Sequence, residues 1–411
     1  MRRLMIGLCA TFWLCACVRA PELAASPGDA SRWIAAWSSA PSPFLPGGHA
    51  AYLEPYDDVT VRQVLRIDAG GSEVRVRFTN DLGVEALRIG AASLGRVSTN
   101  GVAAGGFAPL TFAGEPGVVI PPGASMLSDA VSMPVRRFED LVVSAYFPEP
   151  VRPTGHRHRV DQSQPGDHTR AAVWPESEAV RGATVASGVQ VYGAPVRRVL
   201  VAFGDSITEG AGATPAAHMS WPAQLSRRLA SRESPEGDWA VVNAGISGNR
   251  ILHDGGSQNG LARFERDALS IAGVTEVIVL EGINDLGVAY APAGPRDVVD
   301  ADDLILAYCQ MIESAHLRGV QIFGATILPY EGAVYFSPAG EAERVKVNTW
   351  IRDSGAFDGV IDLDAVMRDP NNPVRLLKVY EVGDRLHPND AGYAAMADAV
   401  EAFLMEQVES R

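Results

Sequence analysis

The sequence predicts an α/β domain with a mostly parallel sheet, preceded by an all-β region that we expect to form a β-sandwich. Three observations lead to this fold class. From about residue 194 onward, apolar runs typical of strands alternate with the periodic patterns of helices. Between residues 32 and 193, short β-type runs are separated by turns rich in proline and glycine. The apolar run 199–203 is continuous, as in a strand buried on both faces, and it leads into Gly204.

The first residues have the pattern of an export signal, and we exclude them from the fold. A positively charged start is followed by the apolar stretch 4–14, which is too short to span a bilayer comfortably. Residues 14–17 read Leu-Cys-Ala-Cys and resemble the lipobox of bacterial lipoproteins. We therefore expect residues 1–17 to be a signal peptide, Cys17 to be lipidated and residues 18–31 to be a linker. The expected location is the periplasm or cell envelope. Ordinary cleavage a few residues later, giving a secreted protein, is the alternative.

The chain is acidic, with 49 Asp and Glu against 35 Lys and Arg and a formal net charge of -14. This charge argues against nucleic acid and anionic membrane surfaces as partners. We therefore expect membrane contact only through a lipid anchor at Cys17. Beyond the signal region Cys309 is the only cysteine, so no internal disulfide is expected. The oligomeric state is left open.

We expect residues 32–193 to be the β-sandwich domain. The alternating runs 59–67 and 73–78 are separated by the turn-like segment 68–72, which predicts a β-hairpin. Further short strands are expected over 87–89, 110–112, 117–120 and 141–147.

Three histidines, His156, His158 and His168, follow these strands. They could be metal ligands, but no cysteine accompanies them, and Arg157 and Arg159 would oppose a cation. We interpret them as polar loop residues and expect no metal site. A loop facing the active site of the next domain is a third interpretation.

We expect residues 194–411 to be the α/β domain. Strands are predicted over 199–203, 240–243, 277–280, 320–328 and 359–362, and helices over 221–229, 261–271, 302–317, 341–352 and 391–408.

Ser206 is the first candidate for chemistry in this domain. It lies at the carboxyl end of the first predicted strand, where open α/β sheets bind their ligands. Backbone N–H groups beside a helix start favour negative charge. The glycine pattern fits neither a dinucleotide fingerprint nor a phosphate-binding loop, and a Gly-x-Ser-x-Gly elbow is absent. Taken alone, Ser206 could be purely structural.

Three further polar blocks follow in order. They are 243–249 (Asn-Ala-Gly-Ile-Ser-Gly-Asn), 281–285 (Glu-Gly-Ile-Asn-Asp) and 384–389 (Asp-Arg-Leu-His-Pro-Asn). With Ser206 they resemble the SGNH hydrolases, also called the GDSL esterase and lipase family, over about residues 199–408. The third block departs from the common Gly-Gly-Asn-Asp by having Ile283, while Asn284 keeps its place.

The resemblance implies an SGNH-type, flavodoxin-like three-layer α/β/α domain. It also implies hydrolysis of carboxylic esters through an acyl-enzyme, with no cofactor. Much more loosely, the first domain resembles the β domains that precede some bacterial enzymes of this family.

The resemblance assigns a catalytic triad. Ser206 would be the nucleophile, and His387 would be the general base and then the acid. Asp384, three residues before the histidine, would orient the imidazole.

An oxyanion hole follows from the same resemblance. It would consist of the backbone N–H groups of Ser206 and Gly248 and the side-chain amide of Asn284. Gly245 is the nearest rival of Gly248, where we expect a side chain to crowd the substrate.

Other polar residues near the motifs are given supporting roles. We expect Asp205 to order the nucleophile loop. Asn249 and Arg250 could contact the substrate or brace the oxyanion loop.

The expected substrate is a small-molecule or polysaccharide ester. Export, the accessory β domain and the lack of an obvious amphipathic lid favour removal of acetyl or other short acyl groups from a carbohydrate. A lysophospholipase or arylesterase is the alternative within the family. A carbohydrate- or cell-wall-binding protein is the alternative from another class.

Overall fold

The structure, a computed structural model, describes residues 32–42, 55–97, 103–174, 177–232 and 239–409. The expected signal peptide, the lipidation at Cys17 and the linker 18–31 fall outside these ranges. No helix within the described ranges is both long enough and apolar enough to cross a membrane.

The first part of the chain is rich in strands. These strands are β1 (Trp33–Ser38), β2 (Val59–Arg66), β3 (Gly71–Asn80), β4 (Leu87–Ile89), β5 (Ala91–Val97), β6 (Ala103–Leu110), β7 (Val118–Ile120), β8 (Ala124–Leu127), β9 (Val131–Val135), β10 (Asp140–Phe147), β11 (His156–Pro165), β12 (Ser177–Thr184) and β13 (Ala186–Tyr192).

Most of these strands form two antiparallel sheets. One has the order β1-β13-β3-β8, with β9 also paired to β3, and the other has the order β12-β11-β2-β10-β5-β6. In β3, Val74, Val76 and Phe78 alternate with polar residues and are fully buried. Phe78 lines one small pocket together with Val61 and Phe147 of the other sheet. The two sheets therefore share an apolar core.

The predicted hairpin over 59–67 and 73–78 is wrong. Strand β2 pairs with β10 and β11, whereas β3 pairs with β13, β8 and β9, so the two strands belong to different sheets. The link between them bonds to other segments: the Ile67 N–H donates to the Glu139 carbonyl and the Asp68 N–H to the Ala36 carbonyl. Five linking residues are more than the two-residue turns that most strongly favour a hairpin, and these non-local bonds decide the pairing.

The second part of the chain alternates strands and helices. In order, its elements are β14 (Arg198–Gly204), α1 (Ser206–Glu209), α2 (Trp221–Ala230), β15 (Trp239–Gly245), α3 (Gly260–Phe264) with a π-helical continuation (Glu265–Leu269), β16 (Val274–Leu280), α4 (Ile283–Ala289), α5 (Ala301–Leu317), β17 (Gln321–Ala325), α6 (Pro338–Asp353), β18 (Gly359–Ile361), α7 (Leu363–Met367), β19 (Arg368–Asp369), β20 (Asn372–Leu376), a 3₁₀ turn (Lys378–Tyr380) and α8 (Asp390–Glu409).

Local sequence explains where several helices begin. Asp300 and Asp303 form a reciprocal capping box at the start of α5. The hydroxyl of Ser337 accepts the Gly340 N–H, and Pro338 occupies the first position of α6, where its missing N–H costs nothing. These signals place the helix starts within a few residues of their predicted positions.

The main sheet of this part is parallel, with the order β15-β14-β16-β17-β18. Helices α2, α7 and α8 pack together, as do α3, α5 and α6, and the two groups form the outer layers of an α/β/α fold. Strand β14 is flanked by β15 and β16, so the strand order reverses beside it. The carboxyl ends of strands at such a point form a crevice, which is the standard ligand site of open α/β sheets. The predicted boundary at 193/194 lies in the connection between β13 and β14.

The expectation that His156 and His158 lie in a loop is wrong. Both lie in β11, opposite Thr184 and Gly182 of β12, whereas His168 lies in the connection that follows β11. His156 is 5% exposed, because the α/β part covers its ring. The sequence around it gives no sign of a contact made across such a distance along the chain.

The two parts of the chain meet along strand β1 and around Asp68. The Ser38 hydroxyl donates to the Asn243 carbonyl at 3.2 Å, and the Ser226 hydroxyl donates to the Asp68 carboxylate at 2.7 Å. Arg137 reaches the Trp239 carbonyl at 2.5 Å. Burial raises the pKa of Asp68 to about 7, although the Ser226 hydrogen bond and nearby arginines act in the other direction.

The substitution Asp68→Asn should flatten the pH dependence of thermal stability. A carboxyl whose pKa is raised on folding stabilises the fold at low pH, and this contribution is lost as pH rises from about 4 to about 7. The amide keeps an oxygen to accept from Ser226 but carries no charge to bury. We expect the variant to melt about 3–6 °C higher than wild type at pH 8, and no higher at pH 4.5.

Differential scanning calorimetry at both pH values would measure this effect. Asp302→Asn, at an exposed position of α5, is the control and should leave the difference between the two pH values unchanged. Equal pH dependence in wild type and Asp68→Asn would contradict the prediction.

Candidate active site

The candidate nucleophile lies at the carboxyl end of β14. Asp205 is the N-cap of α1, and its carboxylate accepts the N–H of Ile207 at 2.9 Å. Ser206 is the first residue of that helix, so its own N–H has no intrahelical acceptor. Burial raises the pKa of Asp205 to about 7, against the effect of the Ile207 hydrogen bond, and the charge of Asp285 adds to the rise.

Ser206, His387 and Asp384 form one hydrogen-bonded chain. The Ser206 Oγ lies 2.8 Å from His387 Nε2, and His387 Nδ1 lies 2.6 Å from Asp384 Oδ2. A carboxylate can only accept, so Nδ1 carries a proton and Nε2 of the neutral ring accepts from the serine hydroxyl. The nucleophile and the base that would activate it are therefore within reach of one another.

Asp384 is held in its charged form by the turn that carries it. Its Oδ1 accepts the backbone N–H groups of Leu386 and His387, both at 2.9 Å. Burial alone would raise the pKa of Asp384, but these bonds and the imidazole outweigh it and lower the pKa. Arg385, which follows Asp384 in this turn, has a φ of 65°, and its side chain is bound to Glu381. Such a left-handed position is costly for arginine and lets the turn fold back on itself.

Residues 246–249 form a tight turn beside the serine. The Asn249 N–H donates to the Ile246 carbonyl at 3.1 Å, and Gly248 has a φ of 75° while Ser247 does not lie in the left-handed region. This combination defines a type II turn, in which the peptide joining the two central residues is reversed relative to type I. The turn type therefore sets the direction of the Gly248 N–H, for which the described residues provide no acceptor.

The geometry favours Gly248 over Gly245 as an oxyanion donor. The Gly245 N–H already donates to the side chain of Asn243 at 2.8 Å. A Cβ at Gly248 would meet no protein atom closer than 3.9 Å, so its backbone conformation, not crowding by protein atoms, requires glycine there.

Gly256 supports the turn from its other side, and sequence reasoning missed it. A Cβ at this position would lie 2.1 Å from the Ser247 carbonyl oxygen. The backbone at Gly256 therefore packs directly against the reversed peptide and resists its rotation.

Asn284 completes the group of expected donors. Its Nδ2 donates to the Asn249 carbonyl at 3.0 Å, and its Oδ1 accepts the hydroxyl of Tyr335 at 3.3 Å. The amide carries two N–H donors, so one is left for a substrate. Tyr335 was not identified from the sequence; burial raises the pKa of its hydroxyl well above the ordinary value, which keeps it a donor.

Asn249 and Arg250 make contacts that brace the loop. The Asn249 amide donates to the Gln258 carbonyl at 2.8 Å, and Arg250 pairs with Asp297 at 2.8 Å. Asp285 accepts the next two backbone N–H groups, 251 and 252, at 2.8 and 3.1 Å. The segment after the turn is thus fixed by side chains from other elements.

Arg263, on α3, is the largest omission from the sequence-based site. Its side chain is 0% exposed and donates to the carbonyls of Gly204 and Ala244, each at 2.8 Å, and to the Asn249 side chain at 2.5 Å. The guanidinium also faces Glu281 at 3.4 Å. One cation thereby joins the ends of β14 and β15 to the loop after β15. An arginine within a short helix gives no local signal of such a position.

A family model described as GDSL-like lipase/acylhydrolase matches residues 202–395. The match contains Ser206, Gly248, Asn284, Asp384 and His387. This region is therefore a GDSL-like lipase/acylhydrolase domain, of the SGNH family. The protein is a carboxylic ester hydrolase.

Solved structures with similarity to the chain include three esterase or hydrolase structures. One is a GDSL-like lipase from Bacteroides thetaiotaomicron, 17% identical over 52% of this chain and 89% of that chain, with a TM-score of 0.38. Another is the acetyl xylan esterase AlAXEase, which is 21% identical over 50% of this chain and 98% of that chain, with a TM-score of 0.38. The third is an alpha/beta hydrolase from the metagenome of Lake Arreo, which is 20% identical over 50% of this chain and 94% of that chain, with a TM-score of 0.40. A search of the curated proteins found no match.

The substitution Gly256→Ala should lower kcat by about 10²–10³-fold, the usual cost of losing one oxyanion donor. The new methyl group would push the Ser247 carbonyl away and turn the Gly248 N–H out of the site. We expect KM for p-nitrophenyl acetate to change much less. Gly319→Ala is the matched control, because Gly319 has a φ of 67° and nothing within 4 Å of an added Cβ. If the two variants lose activity equally, backbone strain alone would explain the loss.

The substitution Arg263→Lys should destabilise the protein by about 2–5 kcal/mol, because it leaves one or two buried acceptors without a donor at about 1–3 kcal/mol each. An ammonium group cannot reproduce the planar fork of donors, so at least one carbonyl would be left unsatisfied. Urea unfolding would measure the change. Arg266→Lys, in the next turn with a side chain 19% exposed, should cost less than about 1.5 kcal/mol. Similar costs for both variants would refute the role given to Arg263.

Proposed function

We propose that the protein is an exported serine esterase that removes short acyl groups, chiefly acetyl, from a carbohydrate. The hydrogen-bonded chain from Ser206 through His387 to Asp384 is the observation that carries the catalytic part. It supplies a nucleophile, a base and an orienting carboxylate from the protein's own residues.

The first half of the proposed reaction forms an acyl-enzyme. The Ser206 hydroxyl attacks the ester carbonyl while His387 Nε2 takes its proton, and Asp384 stabilises the resulting imidazolium. Negative charge develops on the former carbonyl oxygen, and the N–H groups of Ser206, Gly248 and Asn284 are the donors we assign to it. The tetrahedral intermediate then collapses, and His387 gives its proton to the leaving alcohol.

The second half releases the acid. His387, again neutral, removes a proton from a water molecule that attacks the acyl carbonyl, and the same donors stabilise the second oxyanion. Ser206 takes back the proton when the acid leaves. Because the low pKa of Asp384 keeps it charged at neutral pH, the imidazole keeps one orientation through both halves.

The carbohydrate part of the proposal is supported by the position of the strand-rich region, which we infer to be a β-sandwich. A cavity of about 390 Å³ lies where this region meets the α/β domain. Residues lining it include Trp37 and the polar residues Arg77, Gln190 and Arg266. An aromatic ring with a few convergent polar groups suits a sugar, which has an apolar face and hydroxyl edges. A polymer bound there would be held by the strand-rich region beside the esterase domain.

Hydrolysis of p-nitrophenyl esters of two to twelve carbons, together with acetate release from acetylated xylan, would test the proposal. We expect the highest kcat/KM on the acetyl ester and acetate release from the polymer. Ser206→Ala should lower both activities by at least about 10⁴-fold, because the serine and the histidine act as a unit. Ser231→Ala, at an exposed serine after α2, is the control and should match wild type.

Other outcomes would point to the alternatives. Rates that rise with chain length, with no release from xylan, would favour a lysophospholipase or a general esterase such as an arylesterase. Xylan or cell-wall binding without turnover would favour a binding protein. Equal activity of wild type and Ser206→Ala would refute the assignment of Ser206 as the nucleophile.

A further inference from the structure

Glu209, the last residue of α1, connects three parts of the molecule. Its Oε1 lies 3.2 Å from Nε2 of His156, which belongs to strand β11 of the strand-rich region. Its Oε2 accepts the backbone N–H of Ser247 at 2.5 Å. One carboxylate thus joins the strand-rich region, the helix that begins with Ser206 and the turn that contains Gly248.

The hydrogen bonds of His156 define its protonation state. Its Nδ1 lies 2.7 Å from the Ala40 carbonyl oxygen, and its Nε2 faces the Glu209 carboxylate. Both partners can only accept, and a neutral imidazole carries a single N–H. Since the His156 side chain is 6% exposed, water cannot readily replace either partner. Both bonds are satisfied only when the ring is an imidazolium.

We propose that His156 and Glu209 are positioning residues for the esterase reaction. Their buried imidazolium–carboxylate pair lets the strand-rich region hold the Ser247–Gly248 peptide in the orientation that points the Gly248 N–H at the oxyanion. This inference rests on the oxyanion hole proposed above, and it adds to that site two residues that touch no reacting atom.

The pair can affect the turn because the Ser247–Gly248 peptide can adopt either of two orientations. A type I turn over 246–249 would place the Gly248 N–H on the opposite side, and the two turn types differ mainly by rotation of one peptide. Glu209 fixes the N–H before that peptide, and Gly256 packs against its carbonyl. Loosening Glu209 removes one of the two restraints.

The charges around the pair favour its ionised form. Burial by itself lowers the pKa of His156, but Glu209 and the Ala40 carbonyl outweigh it and raise the pKa. Arg157 on the same strand opposes this rise, and the ring of His158 lies tilted against the His156 ring, with the ring centroids 4.4 Å apart. On the neighbouring strand β12, the uncharged Thr184 binds the His156 carbonyl.

The pKa of Glu209 shifts in the opposite direction to that of His156. Burial would raise its pKa, but His156, the Ser247 N–H and the charge of His158 bring it down to about 2, while the neighbouring carboxyl of Asp205 interacts with Glu209 by charge repulsion. The pair is therefore charged from about pH 2 to a pH above the ordinary histidine value. As pH rises through the raised pKa of His156, the ring loses a proton and one of its two hydrogen bonds.

The test measures kcat and KM for p-nitrophenyl acetate between pH 5 and 9.5. We expect His156→Gln and Glu209→Gln to lower kcat by about 10–100-fold at pH 7, a part of the full cost of an oxyanion donor, with KM within about 3-fold. The double variant should be no slower than the slower single variant, because the two residues act as one unit. His168→Gln, a histidine of the same region, is the matched control and should behave like wild type.

The pH profile separates positioning from simple structural support. In wild type and His168→Gln, kcat should fall at alkaline pH as His156 deprotonates. This alkaline limb of the pH profile should be absent in His156→Gln. Glu209→Asp covers the case in which a neutral variant does not fold. It keeps the charge but is one methylene too short to reach both partners, so its kcat should fall as well. Circular dichroism would establish that each variant measured is folded.

Asn284→Ala, in the same assay, separates failure of this inference from failure of the site. If Asn284→Ala loses about 10²–10³-fold in kcat while the folded pair variants stay within 2-fold of wild type, the inference is wrong and the oxyanion hole stands. If Asn284→Ala is also unchanged, both are wrong. Multiplicative losses in the double variant, or an alkaline limb that persists in His156→Gln, would also overturn the inference.

Discussion

The buried guanidinium of Arg263 is the interaction on which the geometry of the active site depends. At this crevice the carbonyl of Gly204, which also accepts the Ile246 N–H, and the carbonyl of Ala244 both accept from Arg263. A planar group with several donors satisfies both at once and still reaches Asn249. The strand that leads to Ser206 and the loop that carries Gly248 are therefore held by a single rigid side chain.

The charge of Arg263 is offset chiefly by Glu281 and Asp267, and the buried acids near it have structural tasks of their own. Asp205 caps the helix of the nucleophile, Asp285 holds the loop after the turn, and Glu281 faces the guanidinium directly. Burial raises the pKa of all three, and repulsion from neighbouring carboxyls adds to the rise for Asp205 and Glu281. The arrangement stabilises a specific geometry at an electrostatic cost, as is common where a fold builds a reactive site.

Features set by local pattern could be predicted from the sequence, and features set by distant contacts could not. The helices and parallel strands carry their periodicity and caps within a few residues, and three of the four polar blocks follow strands that the pattern reveals. The fourth block, 384–389, instead follows a 3₁₀ turn and leads into α8. The predicted pairing of β2 with β3 was wrong because non-local hydrogen bonds at Ile67 and Asp68 determine which strands they pair with. Arg263 and Tyr335 were missed because each is defined by what other segments bring to it.

The same distinction explains how the two regions work together. The proposed triad lies wholly within the α/β part, since Ser206, His387 and Asp384 come from its first strand end and its last loop. The orientation of the Ser247–Gly248 peptide is different, because we infer that Glu209 constrains it through the preceding Ser247 N–H while bound to His156 across the junction. A nucleophile can thus be fully assembled while the oxyanion hole still depends on how the strand-rich region is seated. Docking of that region is then part of the catalytic geometry, beyond any role it has in holding a polymer.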